Sequence, residues 1–247
     1  DPLRWALPVL LAAVLVAAAR YLVRRVPEAS GSGVQRVEAH IRGEVPAARG
    51  VVLPVKFVGG LLSIGSGMVL GREGPTVQMG ASIGGFVSRR AKVSLHDTRT
   101  LSVALAGAGL GVAFSAPLGG AMFVFEEVAH AFRTRLVVAT LAATTTALAV
   151  ARYVVGAEPV LPVRGVDAGS TWLLLGYAVL GALLGVLGVL YNRVVVALLD
   201  VVEGFRRLAP EAKAALVGAF VVAVGLAAPW IIGGGDALNE ALLVSTP

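Results

Sequence analysis

The chain has 247 residues, 57% of them hydrophobic and only 15% charged, with a formal net charge of +6 and no cysteine. Soluble domains carry about a quarter charged residues, so this composition, with a mean hydropathy of +0.83, excludes an ordinary water-soluble globule. The absence of cysteine excludes disulfides, thiolate metal sites and cysteine nucleophiles.

In chain order, residues 5–23 are apolar except for Arg20 and predict a first membrane span, followed by a polar stretch that contains GSG at 31–33. Residues 51–70 are apolar but carry Lys56 and several glycines. After GREGP at 71–75, residues 76–88 form a short apolar piece of about 20 Å as a helix, and residues 117–127 one of about 17 Å. Neither crosses a hydrocarbon core of about 30 Å alone, and short segments interrupted by glycine or proline mark the broken helices of transporters. Residues 136–150 follow, then a loop rich in proline and charge, and two long helices over about 171–203 and 211–230. The end, GGGDALNEALLVSTP, reads as a loop and the start of another element. Two further spans follow the first, so the opening segment is no signal peptide.

The cations lie beside the apolar runs (Arg24 and Arg25, Arg89, Arg90 and Lys92, Arg133 and Arg135, Arg206 and Arg207), where they set topology and meet lipid headgroups. No aromatic residues interleave with them, so no nucleic-acid partner is expected. GxxxG spacings at 67–71, 80–84, 107–111 and 181–185 predict close helix contacts. GASIG at 80–84 also matches a nucleophile elbow around Ser82, but Ser82 falls inside an apolar helix rather than at a strand-to-helix turn. His40, His96 and His130 lack metal-ligand spacing, and no glycine run continues into a nucleotide-binding motif. Lys56 reads either as a lipid-facing side chain that reaches the interface or as a helix partner.

Three stretches have the makings of a site. In Gly71-Arg72-Glu73-Gly74-Pro75, a helix starting near Pro75 would turn free N–H groups and its positive dipole end toward Glu73. Such an end takes either the Glu73 carboxylate or a mobile anion, although a solvated pair in a surface loop fits the same residues. Ser32, between Gly31 and Gly33, offers a hydroxyl and backbone donors to an anion, or is part of a flexible linker. In SAPLGGAMFVFEEV at 115–128, Ser115 is expected to cap a helix that ends in Glu126 and Glu127, the only acids between Thr98 and Val150. Carboxylates at a membrane edge serve proton relays, or here form an interfacial pair near His130, Arg133 and Arg135.

Together these stretches resemble the CLC family of chloride channels and chloride/proton antiporters. GREGPTVQ at 71–78 is nearly identical with that family's second signature, and GLGVAFSAPLGGAMFVFEEV at 109–128 is similar to the segment leading to its internal proton-transfer glutamate. GSGVQ at 31–35 resembles the first signature, GSGIP, with Val34 and Gln35 in place of isoleucine and proline. The resemblance implies an all-α polytopic membrane protein of the CLC-type inverted-repeat fold, with broken, tilted helices. Residues 1–155 would be the first repeat without its opening helix, 156–170 a connecting loop and 171–247 the truncated start of the second. No GxFxP signature or late tyrosine is found downstream, so the expectation is about half of a transport core.

The resemblance further assigns Glu73 as the gate, Glu127 as the internal proton acceptor and Glu126 as its support. Ser32, with Gly31, Gly33, Arg72 and Gly74, would surround the anion, while Gly71 and Pro75 shape the helix start. The implied function is chloride/proton antiport, the alternative a passive voltage- or pH-gated chloride channel; a hydrolase acting through Ser82 and a non-conducting packing module are rivals from other classes. A transporter of this kind is no enzyme and needs no cofactor or metal. Its expected partners are chloride, protons and the lipid bilayer of a prokaryotic cell (inner) membrane, with a homodimer holding one pathway per subunit.

Overall fold

A computed structural model describes residues 2–156, 172–205, 207–235, 238–239 and 241. All regular elements among them are helical: α1 (Pro2–Arg25), α2 (Val34–Arg42), α3 (Val52–Gly65), α4 (Glu73–Arg90), α5 (Leu95–Ala113), α6 (Pro117–Phe123), α7 (Thr134–Val155), α8 (Trp172–Gly204) and α9 (Pro210–Ala227). Among the described residues four helices, α1, α7, α8 and α9, are long and apolar enough to cross a bilayer. Most of the expected 156–170 loop lies outside the described residues, as do most of residues 236–247.

The local chemistry explains several boundaries. Helix α2 is bracketed by Gly33 and Gly43, both with positive φ. Helix α5 begins at Ser94, whose hydroxyl accepts from the Asp97 N–H at 3.1 Å. Helix α6 starts on Pro117 and widens into a π turn over Val124–Val128, where the Ala129 N–H reaches the Val124 carbonyl at 2.8 Å.

Helix α5 is the centre of the packing. It lies against α2, α4, α6 and α7, and the core between them includes Val77, Val103, Ala106, Val124 and Phe125. Glycines bring backbones together here. A Cβ on Gly80 would collide with the Leu105 carbonyl, one on Gly84 would lie 2.6 Å from the Ser102 Cα, and one on Gly109 would strike the Thr76 carbonyl. A second group joins α1 to α9 and α3, and α3 to α4. Helix α8 has no buried residue.

Three expectations change. Helix α4 runs 18 residues, about 27 Å, rather than the 13 expected from the apolar piece. It takes up Glu73 and Gly74 before Pro75, since proline is tolerated anywhere in a first turn whose N–H groups lack partners, and ends on Arg89 and Arg90, which suit its C-terminal dipole. Ser115 does not cap α6: it adopts a left-handed φ of 53°, and Ala116 is the capping residue without a side-chain bond. The GxxxG at 67–71 falls in a loop, with Gly67 at φ 89°, and at Gly181 and Gly185 no heavy atom of the described residues lies within 4 Å of a Cβ position.

Candidate anion-binding site

Between α1, α3 and the start of α4 lies a cavity of about 430 Å³ whose wall includes Gly31, Ser32, Lys56, Gly71, Glu73, Gly74 and Pro75. Two separate stretches of sequence therefore meet at one place. Their approach is close: a Cβ on Gly74 would lie 2.6 Å from the Ser32 Cβ, so glycine is required at the contact.

Glu73 is the first residue of α4, and no side chain caps that end. The Thr76 N–H is the first to bond back along the helix, to the Arg72 carbonyl at 3.1 Å, and Pro75 has no N–H. The Glu73 and Gly74 amides are thus the free donors of this terminus, at its positive dipole end. The Glu73 side chain folds back over Gly71, whose Cβ position its carboxylate oxygen occupies. Among the described residues Glu73 has no ion pair. The start of α4 therefore presents free backbone donors beside the Glu73 side chain.

Ser32 is exposed on the opposite wall. Its hydroxyl donates to the Gln35 Oε1 at 3.0 Å and accepts weakly from the Val34 N–H at 3.4 Å. The loop carrying it is held from behind by two side chains. Lys56, buried to 6% exposure, donates to the Ala29 carbonyl at 3.0 Å and the Gly31 carbonyl at 2.6 Å. Gln78, 1% exposed, donates to the Glu28 carbonyl at 2.7 Å and packs on Gly33, where φ of 85° admits glycine and the Gln78 side chain leaves no room for a Cβ. Glu28 itself receives Arg49 at 2.7 Å and Arg36 at 3.4 Å. Burial raises its pKa, but the hydrogen bonds and charges of Arg49 and Arg36 prevail and hold it below the ordinary carboxylate value.

The structure thus brings Gly31, Ser32, Gly71, Glu73, Gly74 and Pro75 together. Gly33 is buried behind the loop. Arg72 faces an adjoining pocket with Val69, Gly233 and Gly234 instead of this cavity. Glu126 and Glu127 are exposed on the π turn after α6 and do not line the cavity. They pair with none of the nearby cations; Arg135 is taken by Asp97 at 2.7 Å. Ser82 is 2% exposed and donates to the Gln78 carbonyl at 2.8 Å, an arrangement unsuited to a nucleophile. Sequence reasoning missed Lys56 and Gln78 as loop supports; the signal available was a lone ammonium and a lone amide inside otherwise apolar stretches.

A family model described as voltage gated chloride channel matches residues 13–247. The chain belongs to that family. Over 210 residues it is 43% identical to the H(+)/Cl(-) exchange transporter ClcA of Vibrio cholerae, an alignment covering 81% of this chain and 45% of the relative. The corresponding transporter of Citrobacter koseri is 36% identical over 243 residues, covering 94% and 50%. A crystal structure of a slow cyanobacterial Cl-/H+ antiporter matches with a TM-score of 0.87 and 33% identity, over 100% of this chain and 58% of that one. The chain thus has the all-α fold of a CLC antiporter and spans about half the length of the curated relatives it matches. A member of this family with several bilayer-spanning helices is an integral, multi-pass membrane protein.

Proposed function

We propose that the protein exchanges chloride for protons across the membrane, with Glu73 as the gate. The observation that carries this reading is the meeting of Glu73, at an uncapped helix start, with Ser32 in one cavity. Partial charges at a helix terminus hold an anion without the trapping strength of a full cation, which suits transport. When ionised, the Glu73 carboxylate competes with chloride for the Glu73 and Gly74 amides and the Ser32 hydroxyl. When protonated it loses that competition and leaves. Gly31, Gly33, Gly71 and Pro75 shape the backbone around the anion, and Arg72 adds positive potential from the neighbouring pocket.

Glu127 supplies and removes the proton from the other side, with Glu126 supporting or hydrating that route. Both are exposed and have no cationic partner among the described residues, which leaves them open to water. No covalent chemistry, cofactor or metal enters this cycle. Residues 1–155 would form the first inverted repeat and 171–247 begin the second, in a homodimer with one pathway per subunit in a prokaryotic inner membrane; the bacterial source of the relatives supports the location.

The test is flux in liposomes. Glu73→Gln should carry chloride while proton movement is lost, and Glu127→Gln should suppress proton movement and spare chloride. Equal loss of both ions in Glu127→Gln would remove that residue from the proton route. A wild-type reversal potential indifferent to a pH gradient would establish the passive channel instead.

A further inference from the structure

Four residues that line one small cavity behind the Ser32 loop each carry a buried polar atom without a partner. Arg36 Nε, His40 Nε2, Gln78 Oε1 and Ser102 Oγ take no hydrogen bond from the described residues, and all four belong to residues lining one cavity of about 20 Å³ between α2, α4 and α5. A buried polar atom left unbonded costs about 1–3 kcal/mol, so four around one space form a site. A volume of that size holds one water, which needs about 10–15 Å³ and two to four polar partners.

The donor pattern matches a single water. His40 Nδ1 lies 3.1 Å from the Val45 carbonyl, which places the neutral ring's proton there and leaves Nε2 an acceptor. Arg36 Nε–H is a donor only, Gln78 Oε1 an acceptor only, and the Ser102 hydroxyl rotates. Water then accepts from Arg36 and Ser102 and donates to His40 and Gln78, which uses all four of its bonds. Protonating His40 turns Nε2 into a third donor. Ser102 must then rotate to accept, and its own proton has no acceptor among the described residues.

Two connections give the site a consequence. His40 also lines an open crevice of about 590 Å³, which brings the residue to the solvent. Gln78, the opposite wall, holds the Ser32 loop through the Glu28 carbonyl and Gly33. We propose that this cavity is a water-binding site through which His40 protonation loosens the loop that carries Ser32. It would be a second pH input beside Glu73, and it rests on the chloride reading above. The charged and titratable groups on α2 and on the elements packed against it are Arg36, Glu38, Arg42 and Glu44 from α2 and its end, Glu73 at the start and Arg89, Arg90 and Lys92 at the end of α4, His96, Asp97 and Arg99 from α5, and Glu126 and Glu127 from the π turn; Glu28 pairs with Arg36 and Arg135 with Asp97.

The experiment has two arms on the full-length protein. A structure resolving ordered water should place one water within hydrogen-bonding distance of all four atoms; a dry cavity, or side chains collapsed into it, overturns the proposal. In the second arm chloride affinity is measured calorimetrically at pH 8 and 5.5 in a Glu73→Gln background, where the gate cannot titrate. Acidification should weaken chloride about three- to tenfold, the equivalent of one lost hydrogen bond. Added positive charge alone would tighten it, so tighter or unchanged binding overturns the coupling. His40→Gln, which keeps an acceptor, should bind as tightly at both pH values as the background does at pH 8. His40→Leu should bind weakly at both, and equal behaviour of the two variants would reduce His40 to packing. Absence of chloride binding under every condition would sink the anion-site reading, while the water arm still decides the cavity.

Discussion

Lys56 shows how one residue organises the site. Burying an ammonium costs several kcal/mol unless hydrogen bonds offset it, and here the Ala29 and Gly31 carbonyls do so. The same bonds fix the backbone on both sides of Ser30 and hold the loop that carries Ser32 at the cavity, whose wall Lys56 also lines. Lys56→Met should therefore lower chloride affinity about tenfold and stability by about 2–4 kcal/mol, measured by calorimetry and thermal unfolding. Lys56→Arg should not rescue it, because a planar fork does not reproduce the contacts of a compact ammonium. Unchanged chloride affinity in Lys56→Met would exclude the role. Glu28, beyond the first span, makes a pH-dependent prediction. Its pKa is depressed in the fold, so its contribution is complete above the ordinary value of 4.5 and is lost as pH falls through the folded value. Amide exchange at residues 28–33, corrected for its intrinsic pH dependence, should rise below that pH and do so already at pH 7 in Glu28→Gln.

At the scale of elements, the closest packing is between α4 and α5, and it depends on glycines that admit backbone against backbone. Gly80→Ala and Gly84→Ala should each cost about 1–3 kcal/mol, because the atoms met are the Leu105 carbonyl and the Ser102 Cα, which cannot swing aside as a side chain would. Phe86→Ala, on the outward face of the same helix at 52% exposure, should stay within about 0.5 kcal/mol. Thermal unfolding of the purified protein ranks the three, and equal effects would contradict the packing. The glycine pairs at 80–84 and 107–111 were legible because spacing and helix period agree there. Those at 67–71 and 181–185 were not, since the motif specifies a flat face but supplies neither the helix nor the partner. The start of α4 was legible for a similar reason: Gly-Pro flanking an acid dictates a helix start within a few residues. The supports were not, because Lys56 and Gln78 act over 25 and 50 positions of sequence, a relation that local pattern does not carry.

For the whole molecule, the decisive feature is which polar groups remain uncovered. Ser32, Gln35, Arg72, Glu126 and Glu127 are all exposed, although Ser32 shares a cavity with α1, a helix long and apolar enough to cross a bilayer. Lipid cannot satisfy such groups, so water or further protein must face them. The curated relatives are about twice as long as the part this chain matches, which supplies protein of the right amount. Residues 1–247 alone should therefore insert into a membrane and leave one wall of the anion path unbuilt. Reconstituted by themselves they should give no chloride efflux from liposomes above the protein-free background. Co-expression with a segment equivalent to the remaining half of a relative should restore efflux, and Glu73→Gln in the first half should then remove its proton coupling. Efflux from residues 1–247 alone, sensitive to Glu73, would mean that these helices complete a path among themselves, by self-association, and would overturn the division of the site between two repeats.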